Sequence, residues 1–117
     1  MSEARPPGDL EYSYLTTTGR HSGQPHRIGI WFALADGVAY VLSGGGDRAD
    51  WVRNLMISPE VTLQIGDRRK ATKARVVTDR EEDALARRLL VDKYTPRYRG
   101  DLTDWGKTSL PVAIDWA

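Results

Sequence analysis

The sequence predicts a mainly β fold with helices (class α+β), in which about six antiparallel strands form a small barrel with helices on its rim. Two observations predict this fold. Short segments that alternate apolar and polar residues recur along the chain, and only one long segment, near the end, has apolar residues at helical spacing. The 117 residues are enough for one domain. A domain of this size buries about two-thirds of its unfolded surface, so a sizeable ligand is expected in a surface groove or at a subunit interface.

The predicted strands follow a short N-terminal arm and are separated by turns. Residues 1–9 are polar and contain Pro6-Pro7-Gly8, which predicts a flexible arm over residues 1–10 before a single domain over residues 11–117. Asp36-Gly37 predicts a hairpin between the second and third strands. The strands, which are rich in aromatic and β-branched residues or alternate in polarity, are predicted over residues 11–18, 26–34, 38–43, 61–65, 70–78 and 109–116.

Two helices are predicted, a short one over residues 49–57 and a long one over residues 80–94. A carboxylate at Asp47 or Asp50 is expected to cap the short helix, because it can accept the free N–H groups at a helix start. Asp79 and Glu82 form a capping pair for the long helix. Apolar residues repeat every three or four positions along the long helix, so one side is expected to pack on the sheet. Residues 98–106 are expected to be irregular or weakly helical.

The composition excludes several classes of protein. There is no cysteine, which excludes disulfide scaffolds, cysteine-based zinc sites and cysteine nucleophiles. The longest apolar stretch, residues 28–35, is far shorter than the ~20 residues that span a bilayer. The N-terminus carries Glu3 and Arg5 and no apolar segment, so no signal peptide is expected and a cytoplasmic location is predicted. The net charge of +1 indicates no specific partner.

No self-contained catalytic set is apparent. His21 and His26, the 2 histidines, are not at helical spacing and have no acidic residue between them, so no metal site is expected. No serine lies in the context of a nucleophile elbow, which argues against a Ser–His–Asp triad. Gly44-Gly45-Gly46 lacks the spacing of a dinucleotide or nucleoside-triphosphate fingerprint.

The polar turn between the first two strands is one candidate site. Residues 19–27 contain two arginines, two histidines and a serine hydroxyl. Forked guanidinium donors on a turn are well suited to a phosphate or a carboxylate. The alternative is a solvated hairpin loop whose arginines bind nothing.

The glycine-rich segment before the short helix is a second candidate site. Glycines allow a ligand to approach the backbone closely, and the N–H groups of a helix start favour anions. Trp51 and Asn54 are three residues apart and share a helical face, so an indole could cover a flat ring while an amide bonds its polar edge. The alternative is that Trp51 is a core residue.

Two further clusters stand out. The basic run over residues 68–75 could bind nucleic acid, but no aromatic residues interleave it, and a solvated strand face is the alternative. Tyr94, Tyr98 and Trp105 follow one another after the long helix. Aromatic residues there could line a substrate pocket or plug one end of the barrel.

Four motifs carry a family resemblance: Leu15-Thr-Thr-Thr-Gly-Arg-His-Ser-Gly-Gln-Pro25, Ser43-Gly-Gly-Gly46, Trp51-Val-Arg-Asn-Leu55 and Ser58-Pro-Glu-Val61. Together they resemble the deazaflavin-dependent nitroreductases, which are also called quinone reductases that use coenzyme F420. The resemblance runs from about Tyr14 to Ile114. It implies a split β-barrel, similar to the flavin-binding pyridoxamine-phosphate oxidases, with a reduced deazaflavin lying in a groove.

The resemblance also implies roles for individual residues. Those expected to bind the cofactor are Arg20, His21, Ser22, His26, Arg27, Ser43, Gly44, Gly45, Trp51 and Asn54. Those expected to line the acceptor pocket are Trp31, Tyr94, Tyr98 and Trp105. Many relatives have fixed positive charges at the positions of His21 and His26, and some have a lysine at the position of Gly44.

The implied chemistry is hydride transfer to a quinone, an enone or a nitroaromatic compound. A bound hydride donor makes a protein nucleophile unnecessary, and the protein holds donor and acceptor at reacting distance. Tyr94 or Tyr98 is expected to supply a proton or to position the acceptor. The alternatives are an FMN- or haem-binding protein of the same fold, a non-catalytic F420 carrier, and a small nucleic-acid-binding barrel. A homodimer is expected because a small barrel has open sheet edges.

Overall fold

The computed structural model describes residues 6–117, so the first half of the predicted N-terminal arm lies outside the described residues. Seven strands are formed: β1 (Tyr12–Thr18), β2 (Pro25–Trp31), β3 (Ala33–Ala35), β4 (Val38–Ser43), β5 (Glu60–Ile65), β6 (Arg68–Val76) and β7 (Leu110–Asp115). The helices are α1 (Asp50–Ile57), α2 (Arg80–Tyr94) and α3 (Thr103–Thr108). Single 3-10 turns cover Pro7–Asp9, Gly46–Arg48 and Thr95–Arg97.

All seven strands belong to one antiparallel sheet with the order β2-β1-β5-β6-β7-β4-β3. Strand β6 joins its two halves because it changes partner along its length. Residues 68–73 pair with β5, and residues 74–76 pair with β7. Strands β2 and β3 are both edges of the sheet although they are consecutive in the chain, so the sheet curls into a half-barrel that is open between them.

The concave face of the sheet encloses the main core. Strand β1 alternates strictly, with Ser13, Leu15 and Thr17 buried and their neighbours mostly exposed. This period of two is the regular geometry of a strand, in which successive side chains point to opposite faces. The strand itself was predicted from its aromatic and β-branched residues. The core also takes in Leu55 from α1 and Phe32.

Helix α2 covers the outer face of the other half of the sheet. Strand β4 is buried on both faces: Ala39 and Val41 lie in the main core, while Tyr40 and Leu42 pack under the helix. Ala86, Leu90 and Tyr94 are the fully buried residues of α2, each with 0% exposure. The prediction that one side of this helix packs on the sheet is therefore confirmed.

The predicted strand over residues 26–34 is broken at Phe32, and this break raises the strand count from six to seven. The Phe32 N–H donates to the Tyr94 hydroxyl at 3.0 Å, and the Phe32 carbonyl accepts from Lys93 Nζ at 2.8 Å. Lys93 and Tyr94, at the end of α2, thus bind the two backbone groups of Phe32, which lies between β2 and β3. A buried backbone group needs such a partner, so the strand break depends on contacts 61 and 62 residues away in sequence.

The predicted turns and caps have mixed outcomes. Asp36 (φ 51°) and Gly37 (φ 78°) both have positive φ, as expected for the tight hairpin between β3 and β4. The Asp79 carboxylate caps α2 by accepting the Glu82 N–H at 2.9 Å. The predicted carboxylate cap of α1 is wrong, because its N-cap is Ala49, without a side-chain cap.

Two segments predicted to have little regular structure contain short helical elements. Residues 98–106 were expected to be irregular or weakly helical, and α3 begins inside them at Thr103 and ends beyond them at Thr108, while residues 98–102 form neither helix nor strand. Within the predicted N-terminal arm, Pro7–Asp9 form a 3-10 turn, and Leu10 packs against the main core. None of the helices in residues 6–117 is long and apolar enough to cross a membrane.

Candidate functional site

The turn between β1 and β2 and the start of α1 enclose a cavity of about 460 Å³. Its size is within the range of small-molecule sites. The lining residues are Gly19, Arg20, His21, Ser22, His26, Arg27, Ile28, Asp50, Trp51 and Asn54. The structure therefore brings together seven of the ten predicted cofactor-binding residues, from two segments of the chain.

Arg20 crosses this cavity from the turn to α1. Its Nη1 donates to Asn54 Oδ1 at 2.9 Å and to the Asp50 carbonyl at 3.3 Å, and its Nη2 donates to Asp50 Oδ1 at 3.0 Å. The Arg20 side chain is only 16% exposed, whereas that of Asp50 is 86% exposed. The guanidinium is thus held at the inner side of the cavity, with the carboxylate on its solvent side.

Asn54 is the fixed point of this arrangement. The residue is 4% exposed, and its side-chain Oδ1 accepts from both the backbone N–H and Nη1 of Arg20. Its Nδ2 donates to the Thr17 hydroxyl at 3.2 Å. The sequence predicted that Asn54 contacts a ligand, and here both ends of its amide are bonded to protein. Asn54 orients Arg20.

His26 and Ser22 close the outer wall of the cavity. The turn is held by two backbone hydrogen bonds of Gly19, from its N–H to the Gln24 carbonyl and from the Gly23 N–H to its own carbonyl, both 2.8 Å. A Cβ at Gly19 would lie 2.6 Å from His26 Nε2 and 2.7 Å from Ser22 Oγ. Only glycine leaves room for these side chains to lie over the turn. Both imidazoles of the turn are exposed and can meet a ligand.

Arg27 lies at the rim of the cavity, and its head group turns towards the outer face of the sheet. Its guanidinium stacks 4.4 Å from the centre of the Tyr14 ring and approaches Gln64 Oε1 at 3.5 Å. A period of two explains this position, because Arg27 and His26 point to opposite faces of β2. Arg27 therefore adds positive charge at the edge of the cavity, but its guanidinium points away from the interior of the cavity.

The predicted glycine loop does not line this cavity. Ser43 is buried, and its hydroxyl donates to the Gly46 carbonyl at 2.8 Å, which closes the loop on itself. Gly44 faces the other way, since a Cβ there would lie 3.7 Å from Cδ1 of Trp105. Gly45 directly precedes the 3-10 turn Gly46–Arg48 that leads to α1. The loop thus runs from Trp105 at one end to the turn cavity at the other.

The four predicted acceptor-pocket residues form one aromatic cluster. The Trp31 ring stacks on Tyr94, with ring centres 4.2 Å apart and planes within 3°. Tyr98 and Trp105 both meet Trp31 edge-on, at 5.7 Å and 5.6 Å. Trp31 is the centre of the cluster. Edge-to-face and offset contacts are favourable arrangements for aromatic rings.

Tyr94 has a different position from the one predicted. Its side chain is fully buried, and its hydroxyl accepts from the Phe32 N–H and lies 2.6 Å from the Glu11 carbonyl, to which it donates. Burial raises its pKa to about 12. A fully bonded, buried phenol does not reach an acceptor, so the prediction of a catalytic Tyr94 is corrected to that of a support behind Trp31. Tyr98, which is 48% exposed, keeps access to solvent.

A smaller cavity of about 250 Å³ lies beside the aromatic cluster and is lined by Tyr12, Gly29, Ile30, Trp31, Leu42 and Trp105. Sequence reasoning missed Tyr12, Ile30 and Leu42, which belong to strands. The alternation of these strands indicates only which residues share a face of the sheet. In the larger cavity, the sequence analysis also missed Ile28 and Asp50, and it interprets Asp50 as a possible helix cap.

The basic run is largely engaged within the protein. Arg68 stacks 4.4 Å above the Trp116 ring, Lys70 donates to the Ala117 carbonyl, and Arg75 forms two bonds of 2.6 Å and 2.8 Å with Glu82. This accords with a solvated strand face. Across residues 6–117, no three His, Asp or Glu side chains are grouped as metal ligands.

A family model described as F420H(2)-dependent quinone reductase matches residues 6–116. A Mycobacterium tuberculosis H37Rv protein described as an F420H(2)-dependent quinone reductase is 34% identical over 83 residues. The match covers 68% of this chain and 55% of the relative. The chain thus spans about half the length of the curated relatives that it matches.

Solved structures share the architecture. A structure described as an F420-H2 dependent reductase (FDR-A) superposes with a TM-score of 0.69 at 25% identity, over 90% of this chain and 93% of its own. A domain-swapped dimer gives 0.70 at 25% identity, over 90% and 79%. A Listeria innocua structure proposed to be a pyridoxamine 5′-phosphate oxidase gives 0.66 at 18% identity, over 92% and 85%, and shows the fold alone. The predicted split barrel is confirmed.

Proposed function

The chain belongs to the F420H(2)-dependent quinone reductase family, and on this premise we propose that it transfers a hydride from reduced F420 to an electron-poor acceptor. Quinones, enones and nitroaromatic compounds are the acceptor classes in this proposal. The observation that carries it is that a basic cavity and an aromatic cavity are joined by one chain segment, which runs from Gly44 beside Trp105 to Asp50 in the lining of the basic cavity.

The basic cavity suits the phosphate end of the cofactor. Arg20 is pre-positioned by Asn54, and the two exposed histidines of the turn surround it with further donors. A guanidinium with a fixed plane binds a phosphate by paired hydrogen bonds, which single out such an anion from neutral ligands. The donor set of this cavity therefore fits the charged part of a deazaflavin cofactor.

The aromatic cavity suits the flat reacting rings. Trp31 is fixed from behind by Tyr94 and from the side by Trp105, so its position is set before any ligand binds. Aliphatic Ile30 and Leu42 complete an apolar wall that excludes water. Between the cavities, Ile28 and Ile30 share one face of β2, which gives a continuous apolar strip along which an elongated cofactor can lie.

A reduced deazaflavin supplies the hydride when it is bound, so this chain needs no nucleophile of its own. Reduction of a quinone to its quinol takes a hydride and one proton. Tyr98 lies at the open edge of the aromatic cluster and is half-exposed, so its hydroxyl, or a water beside it, delivers that proton. The protein contributes orientation and water exclusion, which raise the effective concentration of the two reactants.

The chain is also proposed to form a homodimer in the cytoplasm. The free edge of β2 and the exposed Tyr12 and Tyr14 on β1 offer a surface for a second copy. A structural relative that forms a domain-swapped dimer supports the proposal. Sedimentation at several protein concentrations tests it, and a monomer at all of them contradicts it.

Binding of the cofactor is the first test of the proposed function. The protein is titrated with oxidised F420 and, separately, with FMN, while ligand fluorescence is followed. Micromolar affinity for F420 with little for FMN is expected. A preference for FMN would instead support a flavin protein of the same fold. Stopped-flow oxidation of reduced F420 by menadione then separates an enzyme from a carrier, which would bind F420 without turnover.

Two arginine variants locate the binding site. Arg20→Gln is expected to weaken F420 binding by about 1–3 kcal/mol, the usual contribution of a charged hydrogen bond. Arg69→Gln is the matched control, because Arg69 is exposed on β6 and lines neither cavity. Equal affinities in the two variants would place the cofactor elsewhere.

A further inference from the structure

The Asp50 carboxylate is bonded to the guanidinium of Arg20, the same group that would bind a ligand phosphate. In the free protein Arg20 Nη2 donates to Asp50 Oδ1 at 3.0 Å. Asp50 is 86% exposed and forms part of the cavity lining. A cavity that collects positive charge therefore has a carboxylate at its mouth, bonded to its best-placed donor. A helix cap does not explain it, since α1 has no side-chain cap.

We propose that Asp50 is an internal competitor for the anionic group of the ligand. Its carboxylate occupies Arg20 Nη2 in the free protein and is displaced when a ligand phosphate binds. The inference rests on the proposed function for the identity of that ligand, and it assigns Asp50 the role of lowering cofactor affinity.

The guanidinium stays in place when the carboxylate leaves. Arg20 Nη1 is bonded to Asn54 Oδ1 at 2.9 Å, and the Arg20 backbone N–H is bonded to the same oxygen at 3.1 Å. Asn54 is buried and is held in turn by Thr17. Only the solvent side of Arg20 is released, so an incoming phosphate meets an oriented donor and not a freely rotating chain.

Displacement is easy because the pair is at the surface. An ion pair with one highly exposed partner contributes little, since water and salt screen it and a flexible side chain must be fixed. A phosphate carries more charge and more acceptor oxygens than one carboxylate. Asp50 nevertheless stays a few ångströms from the bound anion, and like charges at about 4–5 Å under strong screening weaken binding roughly five- to tenfold.

The other charged groups around the cavity do not provide this competition. His21, His26 and Arg27 are neutral or positive. Asp47 lies in the 3-10 turn before α1, three residues before Asp50, and it does not line the cavity. Among the described residues its backbone carbonyl accepts a hydrogen bond from Arg53, and its carboxylate has no such bond. Asp47 therefore provides a control with the same change of charge and a different position.

The test compares Asp50→Asn with Asp47→Asn and the unchanged protein. Oxidised F420 is titrated at low salt, and binding is followed by fluorescence. Asp50→Asn is expected to lower the dissociation constant about five- to tenfold, while Asp47→Asn changes it less than twofold. Both variants are expected to keep the wild-type melting temperature. Equal or weaker binding by Asp50→Asn overturns the proposal, because it would make Asp50 a neutral bystander or a ligand contact.

A second measurement does not need the cofactor. Inorganic pyrophosphate is titrated while the NMR signals of the Asn54 side-chain amide and the Arg20 Nε–H are followed. Tighter pyrophosphate binding by Asp50→Asn supports the competitor role even if F420 does not bind, in which case the proposed function alone fails. If F420 binds the unchanged protein and Asp50→Asn alters neither affinity, the competitor role alone fails.

Discussion

Replacing Tyr94 with phenylalanine removes one oxygen from the point where the sheet breaks. That hydroxyl accepts from the Phe32 N–H at 3.0 Å and donates to the Glu11 carbonyl at 2.6 Å. The phenyl ring of the variant keeps its place against Trp31, so no large cavity forms. The change therefore isolates the hydrogen bonds from the packing.

The expected loss of stability depends on which backbone groups lose a hydrogen-bond partner when the hydroxyl is removed. The buried N–H of Phe32 loses its partner, which costs about 1–3 kcal/mol. The Phe32 carbonyl keeps Lys93, and the Glu11 carbonyl lies on an exposed residue where water can replace the hydroxyl. A loss of about 2 kcal/mol in the free energy of unfolding is expected. It corresponds to a fall of roughly 8 °C in melting temperature, at about 4 °C per kcal/mol for a domain of this size.

Urea unfolding at 25 °C measures the loss, and single-turnover oxidation of reduced F420 by menadione, well below the melting temperature, measures the chemistry. Tyr94→Phe is expected to be less stable and to react at the wild-type rate. Tyr98→Phe is the matched control for stability alone, because Tyr98 is half-exposed and no hydrogen bond joins its hydroxyl to another of the residues 6–117. Its reaction is expected to be slower, since Tyr98 is the proposed source of the proton. A Tyr94→Phe protein of wild-type stability, or one that reacts slowly when folded, would refute the support role.

Three further predictions concern other groups. Hydrogen bonds from Arg75 lower the pKa of Glu82 to about 2. The resulting stability is present above the usual carboxyl pKa and is lost as pH falls from about 4.5 to about 2. Between pH 6 and pH 3, the free energy of unfolding measured in urea should therefore fall by about 1–2 kcal/mol less in Glu82→Gln than in the unchanged protein. This difference includes a reduction for solvent screening, because Arg75 is half-exposed. Desolvation lowers the pKa of Lys93 to about 8, so the stability of the protein should rise as pH rises from 8 to 10.5, and a rise of equal size in Lys93→Met would contradict this assignment. Trp105→Leu should raise the KM for menadione several-fold while F420 affinity changes little, and an unchanged KM would remove Trp105 from the acceptor pocket.

Local chemistry explains most of the strands and the long helix. The bounds predicted for the third strand and for the long helix agree with β4 and α2, because alternation, the hairpin turn and the Asp79 cap are properties of neighbouring residues. The predicted strand over residues 26–34 is interrupted at Phe32 because of residues that are distant in sequence. The strand would continue only if a neighbouring strand bound the Phe32 backbone, but Lys93 and Tyr94 bind it, and no pattern of neighbouring residues contains them.

The candidate site shows the same division. The basic turn could be identified from residue types alone, because arginine and histidine concentrated on one turn are unusual. The partner of Arg20 could not, since Asp50 follows 30 residues later and matches a helix cap equally well. Tyr94 stacks on Trp31 but does not line the cavity, and its hydroxyl is bonded inside the protein. The sequence does not show this, because burial of the hydroxyl arises only when α2 packs on the sheet.

The sequence by itself therefore determined the element types, the basic turn, the aromatic residues after the long helix and, through its motifs, the family. The tertiary structure decided which groups remain free. It bonded Asn54 to Arg20, closed Ser43 onto Gly46 and buried the Tyr94 hydroxyl. The histidines of the turn and Tyr98 stay exposed, and the solvent side of Arg20 is paired with the exposed Asp50. The physical reason is that strand and helix patterns are set by nearest neighbours, whereas the burial and pairing of a polar group depend on whatever the whole chain packs against it.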